Sequence, residues 1–212
     1  MNEYLQPGSF VDSDHPAVRA FADKHARGTD DREKAVSLYY AVRDDVRYNP
    51  FQNFLADDAY RASKCLELNV GWCVSKAALL AASARARGIA ARVGFADVKN
   101  HLTTPELTAK MGTDLFVYHG YAELLLAGKW VKATPAFNLA LCKRFRVKPL
   151  EFDGRADSIF HPFDEDDRRH MEYVSWRGEF ADVPVAEIKR VFGETYPELF
   201  NLGPAAAQRQ FA

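Results

Sequence analysis

Two residues of this 212-residue sequence, Cys73 and His119, have the types and settings of a thiol nucleophile and its base. Cys73 follows Gly71-Trp72 and begins a run rich in Ala and Leu that predicts a helix. The N-terminus of a helix carries unpaired N–H groups and a partial positive charge, which stabilise a thiolate. The same N–H groups can hold the oxyanion of an acyl intermediate. We therefore expect Cys73 to attack a carbonyl carbon.

A base for this nucleophile is predicted at the start of a later strand. His119 follows an apolar run, and a thiol nucleophile needs a base on a rigid element within hydrogen-bond reach. A strand that packs beside the Cys73 helix would supply it. His101 is the main competing histidine, but it lies in the predicted loop 99–114.

The alternative interpretation of Cys73 is a small buried side chain, which is how we interpret Cys65 and Cys142. An odd count of three cysteines and an N-terminus without a basic start or an apolar run predict reduced thiols and a cytoplasmic protein. No Cys-x-x-Cys pair occurs, so we expect no structural zinc, and the sequence implies no cofactor.

Composition and charge narrow the function classes further. The chain is 48% hydrophobic and 27% charged, which is typical of a globular protein large enough to bury a core. Its net charge of −1 gives no basic surface for nucleic acid, and no apolar run is long enough to cross a membrane. The sequence does not indicate an oligomeric state.

Periodicity and turn signals predict the elements that position the two residues. Residues 51–71 are interpreted as irregular, with one helical turn near residues 58–62. Helices followed by an antiparallel sheet indicate an α+β domain. Helices are predicted over residues 16–28, 30–49, 73–86, 137–145 and 184–192, strands over 89–98, 115–126 and 129–134, turns at Asp153-Gly154 and Arg177-Gly178, and disorder from Gly203.

Two blocks of the sequence resemble the transglutaminase-like superfamily. The first is GWCVSKA at 71–77 followed by RARGIAARVGF at 85–95, where the family has a glycine-preceded cysteine that opens a helix and a passage into the sheet. The second is HGYAE at 119–123 followed by GKWVKATP at 128–135, where the family has His-x-x-x-Glu, a turn, Trp and Asp-Pro. The blocks have the family's order and spacing over roughly residues 36–138.

The resemblance implies a papain-like fold, in which the helix that carries the nucleophile packs on an antiparallel sheet that carries the base. It implies one domain over residues 1–212, with a core at about 36–138 and an extension at 139–212 typical of a bacterial subgroup. The implied activity is acyl hydrolysis or acyl transfer through a Cys73 thioester, with a peptide or a small amide or ester as substrate. Hydrolysis is favoured because bacterial relatives of this size resemble hydrolases, and no metal is implied.

One position departs from the family pattern. The family's third catalytic residue is an Asp before the proline, and this sequence has Thr134 there. A hydroxyl can accept a hydrogen bond from the imidazole but carries no charge, so the thiolate would be less stabilised. Asn138 is the alternative third member, and Asp153 is a further one, although it is better interpreted as a turn residue.

Three residues beside the catalytic pair are predicted to bind substrate. Gly71 would let a substrate backbone approach, and Tyr121 shares the strand face of His119. Trp72 would form a wall of the cleft, and the alternative for it is a place in the core. Glu123 lies on that face too and is interpreted as a solvated carboxylate.

The rival hypothesis is a non-catalytic binding module that has kept the fold. Loss of the third-position Asp favours it, and retention of both Cys73 and His119 argues against it. A third hypothesis, an interaction protein acting through residues 136–212, rests only on the lack of resemblance in that segment.

Overall fold

A computed structural model describes residues 2–101, 108–109, 111–160, 164–166, 168 and 170–197 of the chain. Short 3₁₀ turns occur at Asn2–Leu5 and Asp57–Tyr60. The helices are α1 (Pro16–His25), α2 (Asp31–Asp45), α3 (Ala62–Leu68), α4 (Cys73–Ala86), α5 (Leu139–Phe145) and α6 (Val185–Thr195), and the strands are β1 (Arg47–Tyr48), β2 (Val70–Gly71), β3 (Ala91–Asn100), β4 (Leu115–Leu126), β5 (Lys129–Ala133) and β6 (Met171–Phe180).

Helix α4 is the centre of the fold. Every residue from Cys73 to Arg85 is buried, because α1, α2 and α3 pack around the helix and β3 and β4 cover its remaining side. A helix that is apolar on all sides must be enclosed in this way. Its predicted bounds, 73–86, are those observed.

Lys76 is one of four polar residues that α4 buries, together with Ser75, Ser83 and Arg85. Its ammonium donates to the carbonyl oxygens of Arg43 (2.9 Å) and Val46 (2.7 Å) at the end of α2, so it joins the two helices. Burial lowers the pKa of Lys76 to about 7, because desolvation disfavours the charged form.

The main sheet has four strands in the order β5-β4-β3-β6, and all neighbouring strands are antiparallel. Helices packed on this sheet confirm the predicted α+β class. The fourth strand, β6, was not predicted. Arg177-Gly178 was predicted as a turn, but both residues lie within β6, next to a shift in its register with β3. A bulge of this kind places an extra residue in a strand, and its glycine resembles a turn signal.

A small parallel pair corrects the interpretation of residues 46–71. Helix α2 ends at Asp45 instead of continuing to Asn49, and Tyr48 of β1 pairs with Gly71 of β2. Residues 62–68, predicted as irregular, form α3. The pairing partner lies more than twenty residues away, and local propensity cannot reveal such a contact.

The other boundaries differ by a few residues. Helix α1 ends at His25, before the predicted end near Gly28, and β3 begins two residues later than predicted and extends to Asn100. Residues 102–107 and 110 of the predicted loop, and the predicted disorder from Gly203, lie outside the described residues.

Candidate active site

The N-terminus of α4 is fixed by backbone and side-chain contacts around Cys73. Trp72 is the N-cap, and its N–H donates to the Ser75 hydroxyl over 3.1 Å. Gly71 lies inside the protein, where an added Cβ would stand 2.5 Å from the Cys65 sulfur and 2.8 Å from the Ser75 oxygen. Gly71 therefore has a packing role, and its part in substrate approach stays a prediction.

Strand β4 approaches this helix end at Gly120. A Cβ on Gly120 would lie 2.9 Å from the Val74 Cα, which is too close for any side chain. The glycine lets the backbone of β4 reach the helix, and its N–H interacts with the Cys73 thiol. The strand segment next to His119 is thereby brought against Cys73.

A bulge in β4 precedes His119. Tyr118 has a positive φ of 54°, and the pairing with β3 shifts between Ala96 and Val98. Asp97, opposite the bulge, accepts the Tyr118 N–H over 3.1 Å and forms an ion pair with Arg177 at 2.7 Å. A non-glycine residue in this region costs about 1–3 kcal/mol, so the Asp97 contacts help to hold a strained conformation beside His119.

Cys73 and His119 line one narrow pocket of about 70 Å³, and each is only 6% exposed. The pocket is formed by aromatic and aliphatic side chains from several elements, and none of the described lining residues is Asp, Glu, Lys or Arg. Besides the pair, these residues are Tyr48, Pro50, Phe51, Phe54, Trp72, Met111, Phe116, Val117, Phe192 and Tyr196.

Burial determines the charge state of the pair in this conformation. It raises the pKa of the Cys73 thiol to about 11, although the N–H groups of Gly120, Val74 and Cys73 itself act in the opposite direction. It lowers the pKa of His119 to about 3. The expectation that the helix terminus favours a thiolate is therefore wrong for the closed pocket, because desolvation outweighs the backbone N–H groups. At neutral pH both groups are uncharged.

One nitrogen of the His119 ring has no hydrogen-bond partner among the described residues. Nε2 is buried and makes no hydrogen bond within the described part of the chain, and the ring meets Phe160 edge-to-face at 4.7 Å. Buried ring nitrogens normally have a partner, so this atom requires an explanation.

Thr134 has a similarly unpaired hydroxyl. Its Oγ1 is buried and forms no hydrogen bond of normal geometry with a described residue, although it lies close enough to Tyr173 to affect the pKa of that phenol. Its backbone N–H donates to the Ser158 carbonyl over 3.0 Å. Thr134 directly follows β5, whose last residue, Ala133, pairs with Ala122 of β4.

The alternative third members lie elsewhere. Asn138 is at the N-terminus of α5, where its Oδ1 accepts the Tyr48 N–H over 3.4 Å. Asp153 is exposed and accepts the N–H groups of Arg155 (2.8 Å) and Ala156 (3.0 Å), as expected of a turn residue. Among the described residues, neither side chain forms a hydrogen bond with His119, so the structure adds no support for either alternative.

Tyr121 does not line the pocket. It is packed on the sheet face away from α4, where its ring covers Gly94 and its hydroxyl donates to Glu179 over 3.2 Å. Glu123, interpreted as solvated, is buried on the same face and pairs with Arg92 and Lys132, each at 2.7 Å. The predicted substrate role of Tyr121 is therefore not supported by its position.

Trp72 does line the pocket, as a cleft wall would. Its indole N–H donates to the Ala59 carbonyl over 2.8 Å, and its ring packs against Phe54 at 4.9 Å and Phe192 at 5.8 Å. The indole N–H is thus already hydrogen-bonded and is not available to donate to a substrate.

Tyr48 is a pocket residue that the sequence analysis missed. The β1–β2 pairing holds it opposite Gly71, and Asn49 donates its N–H to the Gly71 carbonyl over 2.8 Å. Burial raises the pKa of the Tyr48 phenol well above its ordinary value, and negative charge on Cys73 raises it further. The hydroxyl makes no hydrogen bond within the residues that the structure describes. It is a neutral donor with no partner among the described residues, in the same pocket as the thiol, and only the tertiary pairing reveals it.

The C-terminal extension closes the pocket. Phe192 and Tyr196 are lining residues at the end of α6. The Tyr196 hydroxyl accepts the Val117 N–H over 2.7 Å and donates to the Leu115 carbonyl over 2.8 Å, so it fastens the helix to β4.

His101, the competing histidine, pairs with Glu172 at 3.0 Å and is not a lining residue of the pocket. Among residues 2–101, 108–109, 111–160, 164–166, 168 and 170–197, no cluster of His, Cys, Asp and Glu is arranged to hold a metal ion. No helix in the described part of the chain is long and apolar enough to cross a membrane.

Fold and pocket together define an α+β protein in which a helix-borne cysteine and a strand-borne histidine share one site. The sequence model of the transglutaminase-like superfamily matches residues 19–135, more than half of the chain. The chain belongs to this superfamily. Membership indicates, at the general level, a thiol-dependent enzyme.

No curated protein sequence matches the chain. Among solved structures, the chain is similar to a candidate cysteine protease from Cytophaga hutchinsonii, with a TM-score of 0.47 and 16% sequence identity. The similarity covers 84% of this chain and 53% of the other, so this chain spans about half the length of that protein.

Proposed function

We propose that this chain is a cysteine acyl hydrolase in which Cys73 is the nucleophile and His119 the general base. The observation that carries the proposal is that two residues 46 positions apart, on different elements, line the same pocket. Family membership supports a thiol mechanism. A single domain that includes the extension is part of this proposal, because β6 completes the sheet and α6 closes the pocket.

The first half-reaction forms a thioester. Cys73 Sγ attacks the carbonyl carbon of an amide or ester while its proton passes to His119, and the carbonyl electrons move to oxygen. Because the thiol has the higher pKa in the closed pocket, proton transfer accompanies the attack and no stable ion pair precedes it. The oxyanion accepts hydrogen bonds from the Cys73 N–H and the Tyr48 hydroxyl. His119 then protonates the leaving amine or alcohol as its bond to carbon breaks.

The second half-reaction releases the acyl group. His119 takes a proton from a water molecule, whose oxygen attacks the thioester carbonyl, and the thiol leaves as Cys73 regains a proton. The products are a carboxylic acid and the free enzyme. An amine in place of water would give acyl transfer by the same steps.

We further propose that Thr134 is the third member of the site. Its hydroxyl and His119 Nε2 are both buried with no hydrogen-bond partner among the described residues. Extending the β4–β5 register by one residue beyond Ala133 would place Thr134 diagonal to His119. Cross-strand diagonal positions are close enough for a direct contact or one bridging water molecule. Such a bond would orient the imidazole without supplying the negative charge of an Asp.

The test is acylation by p-nitrophenyl acetate, followed by mass spectrometry of the intact protein. We expect a burst of nitrophenol and an acetyl adduct on Cys73. Cys73→Ala should remove both and lower kcat/KM by about a thousandfold or more. Cys65→Ala and Cys142→Ala are matched controls, since both of these cysteines are also free and buried. An adduct on another residue, or activity that survives in Cys73→Ala, would refute the proposed nucleophile.

The rival binding module is favoured by the closed pocket and the missing third-position carboxylate. It is distinguished by the rate of Cys73 alkylation by iodoacetamide, measured against pH in wild type and His119→Ala. An enzyme should show a His119-dependent rate at neutral pH. A thiol that reacts only near its own high pKa, and equally in both proteins, would leave the binding module as the better description.

A further inference from the structure

We propose that the acyl group that Cys73 accepts is neutral, apolar and compact. The proposal rests on the proposed function and adds the chemical class of its substrate. It follows from which side chains surround the thiol, which polar groups among them are already paired, and how the pocket is closed.

The part of the pocket wall that the structure describes contains no charge that could pair with an ionic substrate. Its described side chains beyond the catalytic pair are aromatic or aliphatic, including Pro50, Phe51, Met111 and Phe116. Moving a carboxylate or an ammonium group from water into such surroundings without a partner costs several kcal/mol or more. A charged acyl group is therefore excluded by desolvation.

Most polar atoms of the wall have partners elsewhere. The Trp72 N–H is bonded to Ala59, and the Tyr196 hydroxyl is bonded to Leu115 and Val117. Besides the Cys73 thiol and the His119 imidazole, the Tyr48 hydroxyl remains without a partner among the described residues. This single donor can form a hydrogen bond with the one carbonyl oxygen of an acyl group. A side chain with several polar groups, such as an amide, would lose its hydrogen bonds to water without replacement.

Phe192 of α6 limits the size of the acyl group. Its ring contacts Trp72 and also Phe54, at 5.4 Å, and it closes the pocket on the side of the extension. A volume of about 70 Å³ suits an acyl group of a few carbon atoms and not a folded polypeptide segment. The substrate class is thus a short-chain ester, thioester or amide.

The first experiment compares iodoacetamide with iodoacetate, which have similar size and differ in charge. The rate of Cys73 alkylation by each reagent is divided by its rate with the free thiol of glutathione. We expect the neutral reagent to be favoured at least tenfold at Cys73. Equal normalised rates, or preference for iodoacetate, would overturn the proposal. Failure of both reagents to modify Cys73 would instead refute the proposed function.

The second experiment measures kcat/KM for p-nitrophenyl butyrate, octanoate and succinate with the full-length protein. Butyrate and the succinate monoester have the same chain length, so their ratio isolates the charge. We expect kcat/KM for butyrate to be about a hundredfold higher than for succinate and about tenfold higher than for octanoate. Comparable values for butyrate and succinate would contradict the inferred class while leaving the nucleophile established.

Two variants test whether residues of the pocket wall determine these ratios of kcat/KM. Phe192→Ala should raise the octanoate-to-butyrate ratio, and Glu194→Ala, at an exposed position on the same helix, should leave it unchanged. Phe116→Lys, at a half-buried position, should shift preference towards succinate and tests the charge argument if the Phe192 variant fails to fold. Ratios that do not change in either wall variant would show that these residues do not select the acyl group.

Discussion

At the residue scale, the site combines a neutral thiol and a neutral imidazole in apolar surroundings. Residue types and family spacing were enough to predict that Cys73 and His119 belong to one site, and the structure brings them to one pocket. Their protonation could not be predicted, because it depends on burial by residues distant in sequence, such as Tyr196. Tyr48 escaped prediction for the same reason.

Tyr48→Phe tests the oxyanion donor. Removing the hydroxyl keeps the ring that packs against Phe137 at 4.9 Å, so the fold should be retained. We expect kcat for p-nitrophenyl butyrate to fall about a hundredfold, with little change in KM, because the lost hydrogen bond forms only in the transition state. Tyr40→Phe, outside the pocket, is the control. A fall in both variants, or a rise in KM alone, would argue against the donor role.

Thr134→Val tests the third member by removing its hydroxyl at nearly constant volume. We expect a tenfold or greater loss of kcat, since the imidazole would lose the group that orients it. Thr134→Ser keeps the hydroxyl and should restore most of the activity. Equal losses in the two variants, measured with thermal stability, would mean that Thr134 acts through packing alone.

At the element scale, the nucleophile helix and the β4–β5 hairpin were predicted almost residue by residue, because α4 is rich in helix formers and Ala127-Gly128 marks the turn. The β1–β2 pair and β6 were missed. Each depends on a partner strand far along the chain, so local sequence carries little signal for it. These missed elements nevertheless fix Tyr48 and extend the sheet.

Tyr196→Phe tests the fastening of α6 to β4. The substitution removes the hydroxyl that bonds the Val117 N–H and the Leu115 carbonyl. Leaving these buried groups unpaired should lower the stability of this contact by about 1–3 kcal/mol. We expect the pocket to open more often and Cys73 to react with iodoacetamide about fivefold faster or more. Glu194→Gln on the same helix should react as wild type does. An unchanged rate in Tyr196→Phe would mean that α6 does not control access.

At the scale of the whole molecule, stability depends on two buried bases, His119 and Lys76, whose pKa values are lowered by burial. The unfolded chain protonates His119 near pH 6.5, whereas the folded chain does so only near 3, so stability falls as the pH drops below 6.5. The contribution of Lys76 to stability also falls as the pH drops, but over a higher pH range, because its folded pKa of about 7 lies below the unfolded value of 10.5. Between these two values the unfolded chain binds more protons at this site, and stability therefore rises with pH.

Lys76→Met tests this linkage. In wild type, the Lys76 contribution to the free energy of unfolding should increase from pH 7 to 9 by up to about 1.4 kcal/mol per pH unit. The variant should lack this increase, whatever its absolute stability. Urea unfolding at pH 7, 8 and 9 measures the slope, with Lys143→Met at an exposed position as control. Parallel slopes in wild type and Lys76→Met would contradict a depressed lysine pKa.

The contact of Tyr196 with β4 also has a consequence for biosynthesis. A ribosome makes α4, β3 and β4 well before α6, so the nascent chain carries Cys73 before it carries Phe192 and Tyr196 of the pocket wall. We expect Cys73 to be hydrated in that interval, so that the helix terminus can lower its thiol pKa. The thiol is therefore most vulnerable to oxidants and electrophiles during translation, and completion of the last helix protects it.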